Sequence, residues 1–366
     1  MPGILGAKLR REREDIGLTQ EALAKAVGLS SEFISLLELG KRMPSLDTLT
    51  TLTNYFKKDV SYFLKEKEEA FNVLLQEEGL DKKARGELRK FKKFCEEYSN
   101  LEELTGRRLE LAPLYTHTSA ERMADEERSR LGFGNGPIRD VFSVLELNGL
   151  HIVRQPIPEK SKISGVFIYF EIEGAAFALV NSIQSLGQQI FTAAHEYCHF
   201  LKDRNIGPVI DNPDIFINEY VSLYHPREKF AQTFALCFLV PPSKVKEIIN
   251  KDLFRKKLNF ADVLYLRNYF GVGTLAIIQV LKDLEFISPT KFEEFQKLAS
   301  STHGEAFFGK FSEERELIKG KGGIILSSRF KRVALEAYQK KIITVEKLSE
   351  LFNLDKAKLK SFLKVR

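Results

Sequence analysis

The sequence predicts a multidomain chain: an all-α helix-turn-helix domain, then an α+β domain, then an all-α C-terminal region. Three observations carry that prediction. Residues 5–64 place apolar side chains at helical spacing around a tight turn at Gly28, and residues 150–180 change to the period of strands. After Pro242 the pattern returns to helices. The length, 366 residues, is too great for one ordinary core and suits two or three domains.

Composition narrows the class. No run approaches the ~20 apolar residues that span a bilayer, and residues 1–4 do not open a secretory leader, so the expected address is cytoplasmic, with no membrane partner. The three cysteines, Cys95, Cys198 and Cys237, are odd in number and far apart, which fits a reducing compartment. The net charge of +6 permits nucleic-acid binding without demanding it.

Residues 1–65 read as five short helices. Leu23 and Ala24 face the next helix, Gly28 takes the turn where a positive φ is wanted, and Ile34 and Leu37 follow on the second helix. Thr19 and Ser30 are natural N-caps, and Gly40 is a natural stop. In such a unit residues 30–39 enter the major groove, so Ser31, Glu32 and Ser35 are the candidate base readers. Gln20, Lys41 and Arg42 are placed to meet phosphates. The expected partner is a double-stranded DNA operator. Because one copy makes few phosphate contacts, a homodimer is expected.

Residues 66–112 form a charged, helix-rich connector that Gly79 and Gly86 should interrupt; its length suits an arm. The domain at 113–242 begins with helical patterns over 120–131 and 138–147. Short strands follow at 150–153, 165–170 and 176–180, bounded by Pro, Gly and Asn. An exposed edge of that small sheet can hold an extended peptide by strand addition.

The chemistry sits in His195-Glu196-Tyr197-Cys198-His199. On a helix, His195 and His199 lie one turn apart on one face and can grip one divalent metal. Water activated there, with a pKa near ~7, can lose its proton to Glu196 and attack a carbonyl, which is hydrolase chemistry. Ser185 and Gln188 offer a capping box at the start of the helix. A third protein ligand is needed. Glu228 follows Pro226 at the start of a helix that presents Ala231 and Ala235 for close approach. Glu219 stands 20 positions beyond His199, a spacing that resembles the thermolysin-like peptidases. Either can serve. Tyr197, Tyr220, Tyr224 and His225 are candidates for stabilising an oxyanion.

The HExxH stretch, Glu228 with Phe230-Ala231 and Phe234-Ala235, and the stop at Val240-Pro241-Pro242 resemble the ImmA/IrrE family of metallopeptidases. Ser164-Gly165 and Pro137-Ile138 are similar to that family too. The N-terminal unit resembles the XRE-type regulators. The resemblance implies a zincin-like fold, Glu228 as third ligand to zinc, with manganese also acceptable to such donors, and a transcriptional regulator whose peptidase cleaves a regulatory protein such as an XRE-type repressor. It also implies an alternative: a DNA-binding or antitoxin-like protein, beside a neighbouring toxin, whose metal domain binds or senses without proteolysis. Cys198 departs from the small residue usual in the family and is read as a buried thiol.

Residues 243–366 return to helices. There, residues 344–359 can be laid on 19–34 without gaps, with Leu348 on Leu23, Asn353 on Gly28 and Leu359 on Ile34, which suggests a second helix-turn-helix-like unit.

Overall fold

The computed structural model describes residues 2–56, 58, 60, 63, 80–116, 118–170, 174–206, 208–211, 226–253, 257–299, 323–355 and 359. Four helices make up the described part of the N-terminal unit: α1 (Pro2–Asp15), α2 (Gln20–Val27), α3 (Ser31–Glu38) and α4 (Leu46–Phe56). The local chemistry sets their ends. Thr19 Oγ1 accepts the Ala22 N–H at 3.0 Å and Ser30 Oγ accepts that of Phe33 at 3.1 Å, while Gly28 turns the chain at φ 69°. Leu23, Ala24, Ile34 and Leu37 close a core with Leu5, Leu9, Leu49, Leu52 and Phe63. A buried ion pair clamps α1 to α3: Arg13 Nε donates to Glu38 Oε1 at 2.6 Å and Nη2 to Oε2 at 2.9 Å.

The described part of the stretch expected to be an arm, from residue 80 on, is instead packed. Helix α5 (Lys82–Thr105) runs through Gly86 without a break and buries Ala84, Leu88, Phe91, Cys95, Tyr98 and Leu101. One mid-helix glycine costs only about 1 kcal/mol, which a 24-residue helix with a buried apolar face outweighs. Gly79 lies outside the described residues.

Helices α6 (Ala120–Arg130) and α7 (Val141–Leu147) precede a four-stranded sheet of β1 (Leu150–Gln155), β2 (Gly165–Phe170), β3 (Ala175–Asn181) and β4 (Val209–Asp211). Its order is β1-β3-β2-β4. β1 runs parallel to β3, and β2 is antiparallel to both of its neighbours. Strand alternation gives the sheet two apolar faces. Leu150, Ile152, Phe167, Ala176, Ala178 and Val180 join the core around helix α8 (Leu186–Lys202), while Val153, Val166, Ile168, Phe177 and Leu179 pack with α5.

After α8 and β4 come α9 (Pro226–Leu239) and α10 (Pro242–Ile248), then a π-helical turn, Ile249–Leu253. Helices α11 (Phe260–Phe270), α12 (Thr274–Asp283) and α13 (Pro289–Ala299) follow. Val245, Val263, Leu266, Ile277, Leu281 and Phe295 share one core with α8 and α9, so the chain past Pro242 completes the site domain as well as leading onward.

The last helices, α14 (Ser328–Gln339) and α15 (Val345–Phe352), pack on α5. The bonds of α15 repeat those of α2. Thr344 Oγ1 accepts the Lys347 N–H at 3.2 Å, Asn353 turns at φ 50°, and the Leu354 N–H donates to Ser349 O at 3.2 Å, as that of Leu29 does to Ala24 O at 2.9 Å. Leu348 and Leu359 are buried like Leu23 and Ile34. Residues 356–358 and 360–366 are outside the described set.

Candidate metal centre

Helix α8 starts at the expected capping box: Gln188 N–H donates to Ser185 Oγ at 3.4 Å, and the Ser185 N–H donates back to Gln188 Oε1 at 3.0 Å. It is buried almost throughout, held between the sheet and α9. Pro226 opens α9 and puts Arg227 and Glu228 in its first turn, while the buried Ala231 and Ala235 keep α9 close to α8.

These two helices bring His195, His199 and Glu228 together, with one ligand atom from each inside 4.8 Å of the others. The separations are 3.2 Å between the two Nε2 atoms, 3.1 Å from His195 Nε2 to Glu228 Oε2 and 3.6 Å from His199 Nε2 to the same oxygen. Bonds of about 2.0–2.1 Å at tetrahedral angles put zinc ligands about 3.3 Å apart, so this donor set has the right size as well as the right atoms. Glu219, the other expected candidate, lies outside the described residues.

The charges support the same reading. Burial by itself would raise the Glu228 carboxyl, but His199 and His195 hold it well below its ordinary value. Burial would lower His199, yet the Glu228 charge and the Asp203 hydrogen bond raise it. The set favours positive charge among its donors.

A supporting pair escaped the sequence reading. His199 Nδ1 donates to Asp203 Oδ2 at 3.0 Å, and Arg227 Nε donates to that oxygen at 3.0 Å. The carboxylate fixes the tautomer that leaves Nε2 facing the other ligands, and the guanidinium fixes the carboxylate. Burial would raise Asp203, but Arg227 and His199 hold it well below the usual range. The signal was available: Asp203 stands four positions after His199, on the same helical face, and Arg227 precedes Glu228.

Glu196, next in sequence to His195, is fully buried, and its carboxylate rests against β2. A methyl group at Gly165 would lie 2.0 Å from Glu196 Oε1, so only glycine leaves the carboxylate its room. Tyr197 faces away. Its hydroxyl donates to Glu127, which also accepts from Tyr115 OH at 2.9 Å and Arg130 Nε at 2.7 Å, so it braces α8 against α6 rather than serving the site. Tyr220, Tyr224 and His225 lie outside the described residues. Cys198 is buried, and burial with the nearby Asp203 charge pushes its thiol well up, so it stays protonated.

In the N-terminal unit Ser31, Glu32, Lys41 and Arg42 are exposed and Ser35 is half-buried. The Arg42 guanidinium stacks over Phe33, 4.8 Å from the ring centre. Gln20 is drawn inward: its amide donates to Glu38 Oε2 at 2.7 Å, because the clamp with Arg13 leaves that oxygen facing the start of α2.

Comparison with known proteins gives two family matches in one chain. Residues 9–63 match a helix-turn-helix model of the XRE type, and residues 149–282 match the IrrE N-terminal-like domain of the M78 peptidases. The chain is therefore a fusion of the two. The HTH-type transcriptional regulator PrpR of Mycobacterium tuberculosis is 45% identical over 58 residues, which are 16% of this chain and 12% of PrpR. The apo form of the competence regulator ComR from Streptococcus vestibularis aligns over 82% of this chain and 99% of its own, but at 13% identity and a TM-score of 0.17 the likeness carries no argument.

Proposed function

We propose that this fusion of a helix-turn-helix unit to an IrrE-like domain is a transcriptional regulator with zinc-dependent peptidase activity, which cleaves a regulatory protein such as an XRE-type repressor. The carrying observation is the convergence of His195, His199 and Glu228 at zinc-ligand spacing with Glu196 buried beside them. The chemistry that zinc, or manganese, supplies in such a set is acidification of water, to a pKa of about 7, and polarisation of a carbonyl. Glu196 takes the proton of the attacking water and hands it to the leaving amine. Asp203 and Arg227 hold His199 in register, and Gly165 leaves Glu196 its space. At the other end a homodimer places Ser31, Glu32 and Ser35 on base edges, with Lys41, Arg42 and the remaining amide hydrogen of Gln20 on phosphates.

The test is Glu196→Gln in the full chain. It should keep zinc and DNA affinity and lose all cleavage of a co-incubated repressor, followed by mass spectrometry. Retained cleavage would end the mechanism.

One observation favours a second reading, in which the metal domain binds or senses a partner without proteolysis. Helix α1 packs against α9, and a methyl group at Gly17 would lie 3.4 Å from Pro226 Cγ, so the DNA-binding unit rests on the helix that carries Glu228. DNA affinity that responds to zinc while no protein is ever cut would select that reading.

A further inference from the structure

Strand β2 passes directly over the carboxylate of Glu196, since the hydrogen of Gly165 points where a methyl group would meet Oε1 at 2.0 Å. On one side β2 is paired with β3 along its whole length, from Gly165↔Val180 to Phe170↔Ala175. A peptide that adds to β2 can take only the other side. That side is filled beside Glu196 by β4 of the same chain, antiparallel, with Gly165↔Asp211, Val166↔Ile210 and Phe167↔Val209. The open edge expected from the sequence is thus covered where it matters.

Spacing decides what this means. Neighbouring strands lie about 4.8 Å apart, so a chain paired to β2 lies about one spacing from Gly165 and one paired outside β4 about two, near 10 Å. A general base works within hydrogen-bond reach of the attacking water, about 3 Å, and the water must touch the carbonyl. The outer position is too far. An extended polypeptide substrate, as the peptidase reading requires, would lie antiparallel to β2; we infer that β4 occupies this place in cis, so the chain plugs its own cleft until β4 is displaced. The inference rests on the peptidase reading for the word substrate, while the competition between β4 and a second strand stands on the sheet alone.

The plug suits displacement. Among the described residues three of β4 pair with β2, and the sequence sets prolines at 208 and 213 on either side, which lack the N–H needed to extend a ladder. The β4 ladder covers, among the described residues, only Gly165, Val166 and Phe167 of β2, and among them no strand pairs with Ile168, Tyr169 or Phe170 on that side. Val209 is buried in the core around α8 and Ile210 packs on the opposite face, so the replacing segment needs apolar side chains on both faces.

The test uses the full chain carrying Glu196→Gln, with and without Ile210→Pro, and fluorescein-labelled Gly-Pro-Val-Ile-Asp-Asn-Pro, the sequence of residues 207–213, as probe. Anisotropy should show binding at least ten times tighter when Ile210→Pro is present, at unchanged zinc content. Equal affinity, or no binding to either, overturns the inference. Hydrogen exchange without the Ile210→Pro change gives an independent reading: saturating peptide should strip protection from the amides of residues 209–211 while residues 165–170 keep theirs. Residues 209–211 remaining protected with peptide bound also overturns it. If the peptide displaces β4 but zinc-loaded chain with Glu196 intact cuts nothing, the peptidase reading fails and the displacement stands.

Discussion

Replacing Gly165 by alanine probes the join between the sheet and helix α8. The new methyl group would sit 2.0 Å from Glu196 Oε1, 2.6 Å from Thr192 Cγ2 and 3.0 Å from Glu196 Cδ. Ordinary contact begins near 3.4 Å, so the carboxylate must retreat by about 1.4 Å. The backbone itself accepts alanine, because Gly165 lies in an extended strand. Overpacking of this kind costs about 1–3 kcal/mol of stability. A displacement of about 1 Å in a reacting group costs about a hundredfold in rate, or about 2.7 kcal/mol at 1.36 kcal/mol per decade. None of the three proposed metal ligands, His195, His199 and Glu228, is among the atoms nearest the added methyl group. Gly165→Ala should therefore keep its zinc by elemental analysis, unfold at lower urea, and cleave about a hundredfold more slowly. Stability and turnover both equal to the parent protein would refute the reasoning.

Other outcomes follow from the same contacts. Asp203→Asn should weaken zinc affinity by about 10–100-fold, measured by competition with a chelator, because His199 loses the group that orients it. Asp203 is held below its ordinary carboxylate value when folded, so its contribution is present above the unfolded value near 4 and drains away as pH falls below it. Urea midpoints of metal-free protein should show that acid loss, flattened but not abolished in Asp203→Asn, since Glu228 is held low too. Glu38→Ala removes the bidentate partner of Arg13, which keeps Leu18 O at 2.7 Å and Glu14 at 3.5 Å, and should destabilise the N-terminal unit by about 1.5–3 kcal/mol in urea unfolding, with weakened DNA binding. Lys41→Ala with Arg42→Ala should lower the slope of log affinity against log salt by about 1.8 per copy, with little change in sequence preference.

Legibility in the sequence followed sequence distance. The two histidines, the capping box, and the Thr19 and Ser30 caps are read within one or two turns of helix, and the structure places them as read. Glu228 was open to a rival until the family resemblance favoured it, because a third ligand arrives from another helix and spacing alone cannot fix it. Asp203 was visible at four positions from His199, but a carboxylate at a helix end has many ordinary explanations. Gly165 against Glu196, and β4 beside β2, are contacts between segments 31 and more residues apart, and nothing local announces them. Helix α5 misled for a different reason: its lysines and glutamates are many, and the stripe of Leu88, Phe91, Cys95 and Tyr98 gains its meaning only from the sheet it covers.

The most direct test of the metal centre is zinc per chain, by elemental analysis, in the parent protein and in Glu228→Ala, Glu219→Ala and Glu196→Gln. About one zinc is expected in the parent, in Glu219→Ala and in Glu196→Gln, with loss in Glu228→Ala alone. Little zinc in the parent after zinc is supplied, or loss in Glu219→Ala with retention in Glu228→Ala, would contradict a site held by His195, His199 and Glu228.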